Sequence, residues 1–238
     1  MLQRMLDVIF PRTCPVCGKA LVASEQLVCD LCKRKATLIT EPTCRRCGKS
    51  IAKTSDEYCF DCKKRGEVHY DKGFAVWEYD KYMKESVARF KYSGRREYGD
   101  YFVSEVLYHY GSQLKQLELD AILPIPLHKE KQRFRGFNQA EVLAQGIADG
   151  LGVLMRSDLI VRKKNTKPQK GLDDRERYDN LRHAFEVNED SDAKKLRRVL
   201  IVDDIYTTGA TIDQCAARLK EAGVDKIYFV CLCIGRDF

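Results

Sequence analysis

Beyond residue 70 the apolar positions fall into short blocks whose period changes from one block to the next. GFAVWEY is β-branched and aromatic and reads as a strand, with Trp77 as a core anchor. DKYMKESVARFKYSG follows, and its Met83, Val87 and Phe90 recur at spacings of four and three, the period of a helix. LDAILPIP is a strand that runs into a proline-fixed loop. Asn138 then stands as the N-cap of a helix on which Val142, Leu143 and Ile147 share a face. The unbroken apolar run at residues 199–202 has the signature of a strand buried on both faces of a parallel sheet. Residues 210–222 are amphipathic, with Ile212, Cys215, Ala216 and Leu219 inward and Gly223 as the expected C-cap. KIYFVCLCI gives a last buried strand, with Cys231 and Cys233 expected on one face as inert core residues. This alternation predicts an α/β domain over residues 71–238, doubly wound on a mostly parallel sheet.

Residues 1–70 lack that pattern and carry cysteines instead. Eight of the eleven cysteines form Cys-x-x-Cys pairs that begin at 14, 29, 44 and 59, each 15 residues after the last. CPVCG and CRRCG have a glycine after the second cysteine, whereas CDLCK and CFDCK have a lysine, so the repeat is one of 30 residues. A Cys-x-x-Cys pair holds two thiolates at one turn, and two pairs complete a tetrahedral zinc site. The glycine suits a knuckle that needs a positive φ; the lysine-rich pairs look like the start of a short helix. We expect one zinc on Cys14, Cys17, Cys29 and Cys32 and a second on Cys44, Cys47, Cys59 and Cys62. A cross-braced pairing, first with third and second with fourth, fits the spacing as well. With all-cysteine ligands and no open position, both ions are structural, and metal binding is part of the folding energy of so small a segment. A disulfide framework is disfavoured because the rest of the chain reads as an intracellular α/β domain. His69 reads as an ordinary surface histidine.

Composition places the 238 residues among soluble globular proteins, with 44% hydrophobic and 32% charged residues. The net charge of +7 suggests an anionic partner, whether nucleic acid, a phosphorylated metabolite or an acidic protein surface. The first residues, MLQRMLDVIFPRTC, are interrupted by Asp7, are too short to span a bilayer and show no cleavage site. A cytoplasmic protein without membrane insertion is expected.

In doubly wound sheets, ligands lie beyond the carboxyl ends of the strands. VLIVDDIYTTGAT puts Asp203 and Asp204 there, followed by Thr207, Thr208, Gly209, Ala210 and Thr211 at a helix N-terminus. Small residues let backbone N–H groups and hydroxyls wrap a phosphate. Two carboxylates beside a phosphate repel it unless something lies between: sugar hydroxyls, which donate to carboxylates, or a shared Mg²⁺. The ligand so described has a 5′-phosphate, a ribose diol and a metal-bound diphosphate.

That string resembles the phosphoribosyl diphosphate (PRPP) signature of type I phosphoribosyltransferases. The wider series of paired cysteine knuckles, RFKYSGRREYGD, PIPLHKEKQRFRGFNQAEVLA, KPQKGLDDRERYDNLRHAF and VDDIYTTGAT resembles the ComF family over nearly the whole chain. The resemblance implies a zinc finger on a phosphoribosyltransferase fold and a role in natural transformation. It also implies action at the cytoplasmic side of DNA uptake with a helicase-like ATPase partner. By the same resemblance Asp203 and Asp204 bind the ribose hydroxyls and residues 207–211 the 5′-phosphate. Lys131, Arg133 and Arg135 supply charge to diphosphate, and Gly136 and Asn138 shape the turn into the next helix. Residues 167–180 resemble the mobile loop that closes over PRPP, with Gln169, Arg177 and Asn180 as its functional residues. The acceptor half of a transferase has no matching string. A DNA-handling adaptor is the second reading: basic runs at 33–35, 162–164 and 194–198, with Phe134 and Phe137 between arginines, suit single-stranded DNA.

Overall fold

The structure, a computed structural model, describes residues 11–22, 25–163, 184–188 and 191–235. A short helix α1 (Phe60–Arg65) closes the cysteine-rich part. Then come β1 (Lys72–Glu78), α2 (Lys81–Tyr92), α3 (Tyr98–Gln116), β2 (Ala121–Pro124), α4 (Lys129–Arg135) and α5 (Gln139–Leu151). The remainder is β3 (Ile160–Arg162), β4 (Phe185–Val187), β5 (Arg198–Tyr206), α6 (Ala210–Glu221) and β6 (Lys226–Ile234). The main sheet has the order β1-β6-β5-β2 and is parallel throughout, as the buried run in β5 predicts. β3 and β4 form a separate antiparallel ladder.

Period-two alternation along the strands feeds two cores. Leu200 and Val202 of β5 face α2, α3 and α5, where Met83, Phe90, Phe102, Leu143 and Ile147 are buried. Val199 and Ile201 face the other way, toward Ile212, Cys215 and Leu219 of α6. Trp77 is 2% exposed, as expected of a core anchor. Two details differ from expectation. Ala222 takes the C-cap of α6, and Gly223 follows it at φ +98°. Cys231 and Cys233 do not share a face: the first packs on the α6 side, the second with the α2–α5 core.

The cysteines settle into two groups, Cys14, Cys17, Cys29, Cys32 and Cys44, Cys47, Cys59, Cys62, with the four sulfurs of each within 4.8 Å of one another. The pairing is therefore sequential and not cross-braced. Four converging thiols without an open position fit a structural tetrahedral zinc. Both knuckle glycines, Gly18 and Gly48, sit at φ +75° and donate back to Cys14 O and Cys44 O at 2.8 and 2.9 Å. The lysine-rich halves differ: CFDCKKR begins α1, whereas residues 30–35 form turns only.

The first cysteine group packs into the α2–α5 core and the second into the α6 core, so the ribbons straddle β1. They also cover its outer edge. Ile39 N donates to Val76 O at 2.9 Å, Glu78 N to Thr37 O at 2.9 Å, and Gly73 N to Arg46 O at 2.8 Å. An edge strand left bare would offer those groups to another chain. Gly48 lies so close that a Cβ there would meet Gly73 O at 2.6 Å.

No helix among the described residues is long and apolar enough to cross a membrane. Because metal holds the ribbons that cover β1, stripping it with a strong chelator should red-shift the emission of Trp77, the single tryptophan, and lower the melting temperature. An emission maximum unmoved by complete metal removal would show that the ribbons hold β1 without it.

Candidate functional site

β2 and β5 are neighbours in register, Pro124 beside Val202, and Ile125 N continues the ladder to Val202 O at 2.9 Å. Both the segment after β2 and the segment after β5 therefore leave the sheet side by side at its carboxyl rim. Asn138 fixes the first: its Nδ2 donates to Ile125 O at 3.0 Å, and its Oδ1 accepts from Ala140 N at 3.1 Å as the N-cap of α5.

Strand alternation sends the two adjacent carboxylates to opposite sides of β5. Asp203 continues the α6 face of Val199 and Ile201. Burial and the charge of Asp204 push its carboxyl up to about 7, with Lys91 acting the other way. Asp204 continues the face of Leu200 and Val202, and Lys91 Nζ from the last turn of α2 lies 2.8 Å from each of its oxygens. Burial opposes the charge on Lys91, but Asp204 outweighs it, and the ammonium is held above its ordinary pKa.

The segment expected as a diphosphate loop is helical at α4. His128 accepts from Glu130 N at its start, and Gly136, at φ +79°, ends it. Residues four apart share a helix face, so Lys131 and Arg135 are both half-buried toward the rim, whereas Arg133 is exposed on the other side. Burial lowers the Lys131 ammonium, and the nearby charges of Arg162, Arg135 and Lys91 lower it further. Arg162, at the end of β3, packs over Phe185 at 5.3 Å. Burial lowers its pKa, with Cys215 and Asp203 acting the other way. Lys91, Lys131, Arg135 and Arg162 thus form one cationic wall beside the two carboxylates.

Residues 207–211 lead from β5 into α6. Gly209, at φ +74°, occupies the N-cap of α6, and Ala210 N donates to Thr208 Oγ1 at 3.4 Å. A Cβ at Gly209 would meet the Tyr206 ring at 2.4 Å and Arg65 Nη1 at 2.5 Å, so only glycine fits. Tyr206 stacks on Phe229 at 5.0 Å with the rings 4° apart.

Of the residues singled out in the sequence, Asp203, Asp204, the 207–211 loop, Lys131 and Arg135 converge on this rim; Arg133 does not. Gln169, Arg177 and Asn180 lie outside the described residues. Phe137 is only 5% exposed and packs on Phe90 at 5.7 Å, which removes it as a base-stacking platform; Phe134 is 81% exposed. Sequence reasoning missed Lys91, although it stands inside RFKYSGRREYGD, and took Arg162 for part of a basic surface run.

This fold is of the phosphoribosyltransferase type and carries an N-terminal zinc ribbon domain. The double zinc ribbon family matches residues 5–63, and the phosphoribosyl transferase domain family matches residues 138–237. Competence protein F of Haemophilus influenzae is 32% identical over 165 residues, covering 68% of this chain and 72% of that protein. The chain belongs to the ComF family. Competence protein ComFC of Bacillus subtilis is 30% identical over 152 residues, covering 63% of this chain and 58% of the relative. DNA utilization protein YhgH of Escherichia coli is 33% identical over 114 residues, covering 48% of this chain and 49% of the relative, or half its length. Among solved structures, a purine phosphoribosyltransferase from Pyrococcus horikoshii Ot3 covers 56% of this chain and 74% of its own at 18% identity and a TM-score of 0.37.

Gly209→Ala should cost roughly 2–5 kcal/mol through backbone strain and overlap combined. Gly94, at φ +68° with open space around it, makes the control, since Gly94→Ala should cost only about 1 kcal/mol of strain. Equal losses in chemical denaturation would show that the Tyr206–Arg65 contact places no demand on the loop.

Proposed function

We propose that the rim binds PRPP with Mg²⁺ and that the protein serves the handling of incoming DNA in natural competence. The observation behind the ligand reading is the convergence on one rim of two carboxylates, four cations and a small-residue loop at a helix N-terminus. Adjacent carboxylates accept hydrogen bonds from the ribose hydroxyls. The loop's N–H groups and the Thr207, Thr208 and Thr211 hydroxyls surround the 5′-phosphate. Lys131 and Arg135, with Lys91 and Arg162 behind them, meet the negative charge of diphosphate. The donor set also fits a hard cation: among the described residues no cation touches Asp203 directly, so its oxygens, once ionised, are open to a metal ion. Mg²⁺, when bound, neutralises diphosphate charge.

The competence role rests on family membership and on the names of relatives described as competence and DNA utilization proteins. The family resemblance supports a helicase-like ATPase as partner. A second reading, contact with single-stranded DNA, is favoured by one observation: Phe134 is 81% exposed on the outer face of α4, beside exposed Arg133.

PRPP with Mg²⁺ should raise the melting temperature, and the double variant Asp203→Asn, Asp204→Asn should abolish the shift; an unshifted wild type overturns the ligand reading. Diphosphate release over a panel of nucleobases separates a transferase from an adaptor that senses PRPP.

The proton on Asp203 adds a pH signature. Native Asp203 keeps it to about pH 7, whereas the ordinary carboxyl pKa is 3.8, so between these values the native state holds more protons than the unfolded one. Stability of the ligand-free protein should therefore fall as pH rises through that window, and Asp203→Asn should flatten the fall. Affinity for Mg²⁺ and PRPP should instead rise as pH passes about 7 and the carboxylate forms. Melting curves with and without ligand from pH 5 to 8.5 check both signs; parallel slopes would remove Asp203 from the ligand site.

A further inference from the structure

The second zinc ribbon reaches the phosphate loop. α1 carries the metal-binding Cys62 and, three residues on, Arg65. Arg46 holds the end of this helix by donating from Nη1 to Cys62 O at 2.8 Å and to Gly66 O at 2.5 Å. The chain after α1 is pinned to α6, where His69 N donates to Asp213 Oδ1 at 2.7 Å. Held from both sides, Arg65 places Nη1 2.9 Å from the Tyr206 hydroxyl, which also bonds the Tyr70 hydroxyl at 2.7 Å. Its guanidinium lies against Gly209, so close that a Cβ there would come within 2.5 Å. Among the described residues no carboxylate pairs with Arg65. This half-buried cation with several N–H donors to spare stands beside a loop, Thr-Thr-Gly-Ala-Thr, that has no charge of its own.

We propose that Arg65 of the second zinc ribbon is a ligand of the 5′-phosphate held by residues 207–211, so that the ribbon forms one wall of the phosphate site. The inference rests on the PRPP reading and adds a residue from outside the transferase-type domain. A phosphate monoester is close to dianionic at neutral pH, and a loop of amides and hydroxyls solvates it without balancing its charge. Arg65 supplies the missing cation in the planar, forked form suited to phosphate. The tyrosine pair sets its direction: Tyr206, buried and stacked on Phe229, holds Nη1, the nitrogen that lies against Gly209 of the loop.

The test uses the full-length, metal-loaded protein and three probes in titration calorimetry: ribose 5-phosphate, PRPP with Mg²⁺, and inorganic diphosphate with Mg²⁺. Arg65→Met should weaken ribose 5-phosphate and PRPP by the same factor, about tenfold or more for a charge-assisted bond, and leave diphosphate unchanged. Arg65→Lys should recover part of the loss; it also serves as the test variant if Arg65→Met fails to fold, then losing less than Met would but still only on the two phosphate-monoester probes. Equal weakening of all three probes would mean general collapse of the rim and overturn the assignment. Unchanged ribose 5-phosphate affinity in either variant would overturn it while leaving the PRPP reading intact. A wild type that binds diphosphate but neither sugar phosphate would overturn both.

Discussion

The backbone hydrogen bonds between residues 37–46 and β1 are the constraint on which the rest of the molecule depends. β1 ends the sheet, and its outer N–H and C=O groups need partners. Its side chains feed both cores, Phe74 and Val76 on one side and Ala75 on the other. A cover for such an edge has to rest on both faces at once. The 30-residue repeat does so with one cysteine group on each face. The ribbons have too few aliphatic residues for a core of their own and borrow the sheet's: Val16, Leu21 and Val28 join one cluster, Ile51 and Tyr58 the other. Metal and sheet are thus complementary halves of one folding unit.

At the carboxyl ends of the strands the governing term is electrostatic. Side-by-side carboxylates in a half-buried place are costly when both are ionised. The protein meets that cost with Lys91 on Asp204 and with a proton on Asp203. The cations of the rim crowd one another at Lys131, whose ammonium is lowered first by burial and then by the charges of Arg162, Arg135 and Lys91. Carboxylates gathered on one side and cations on the other suit a ligand that carries both hydroxyls and several negative charges.

Much of this was legible in the sequence because it depends on local period and spacing. The strands β1, β5 and β6, the helices α2 and α6, the Asn138 cap and the presence of two four-cysteine sites follow from apolar runs, 3.6-residue recurrence and Cys-x-x-Cys pairs, whereas the sequential pairing of those sites came from the fold. What escaped depends on distance in the chain. Lys91 and Asp204 are 113 residues apart, and Arg65 and Tyr206 are 141 apart; no local pattern links them. Phe137 was ambiguous for another reason. Set two residues after Arg135 at the end of a basic run it looks exposed, yet it falls just before the Asn138 cap, at the turn that tucks α5 onto the sheet. α4 shows the remaining limit: six charged and polar residues with the single Phe134 have no apolar stripe by which a helix could be recognised, and only the fold reveals that Lys131 and Arg135 lie together while Arg133 does not.

Alternation along β5 also restricts where a ligand can lie. Asp203 belongs to the side of α6 and Arg162, Asp204 to the side of α2 and Lys91. A molecule resting on one face of the sheet would meet one carboxylate and miss the other. To touch both it must lie across the end of the strand, over the point where Tyr206 gives way to the 207–211 loop. The loop and Arg65 flank that point on one side, and Lys131 and Arg135 of α4 on the other. The apolar run that buries β5 is what makes this geometry rigid: with Val199, Leu200, Ile201 and Val202 locked into two cores, neither carboxylate can rotate to the other's face without moving the strand.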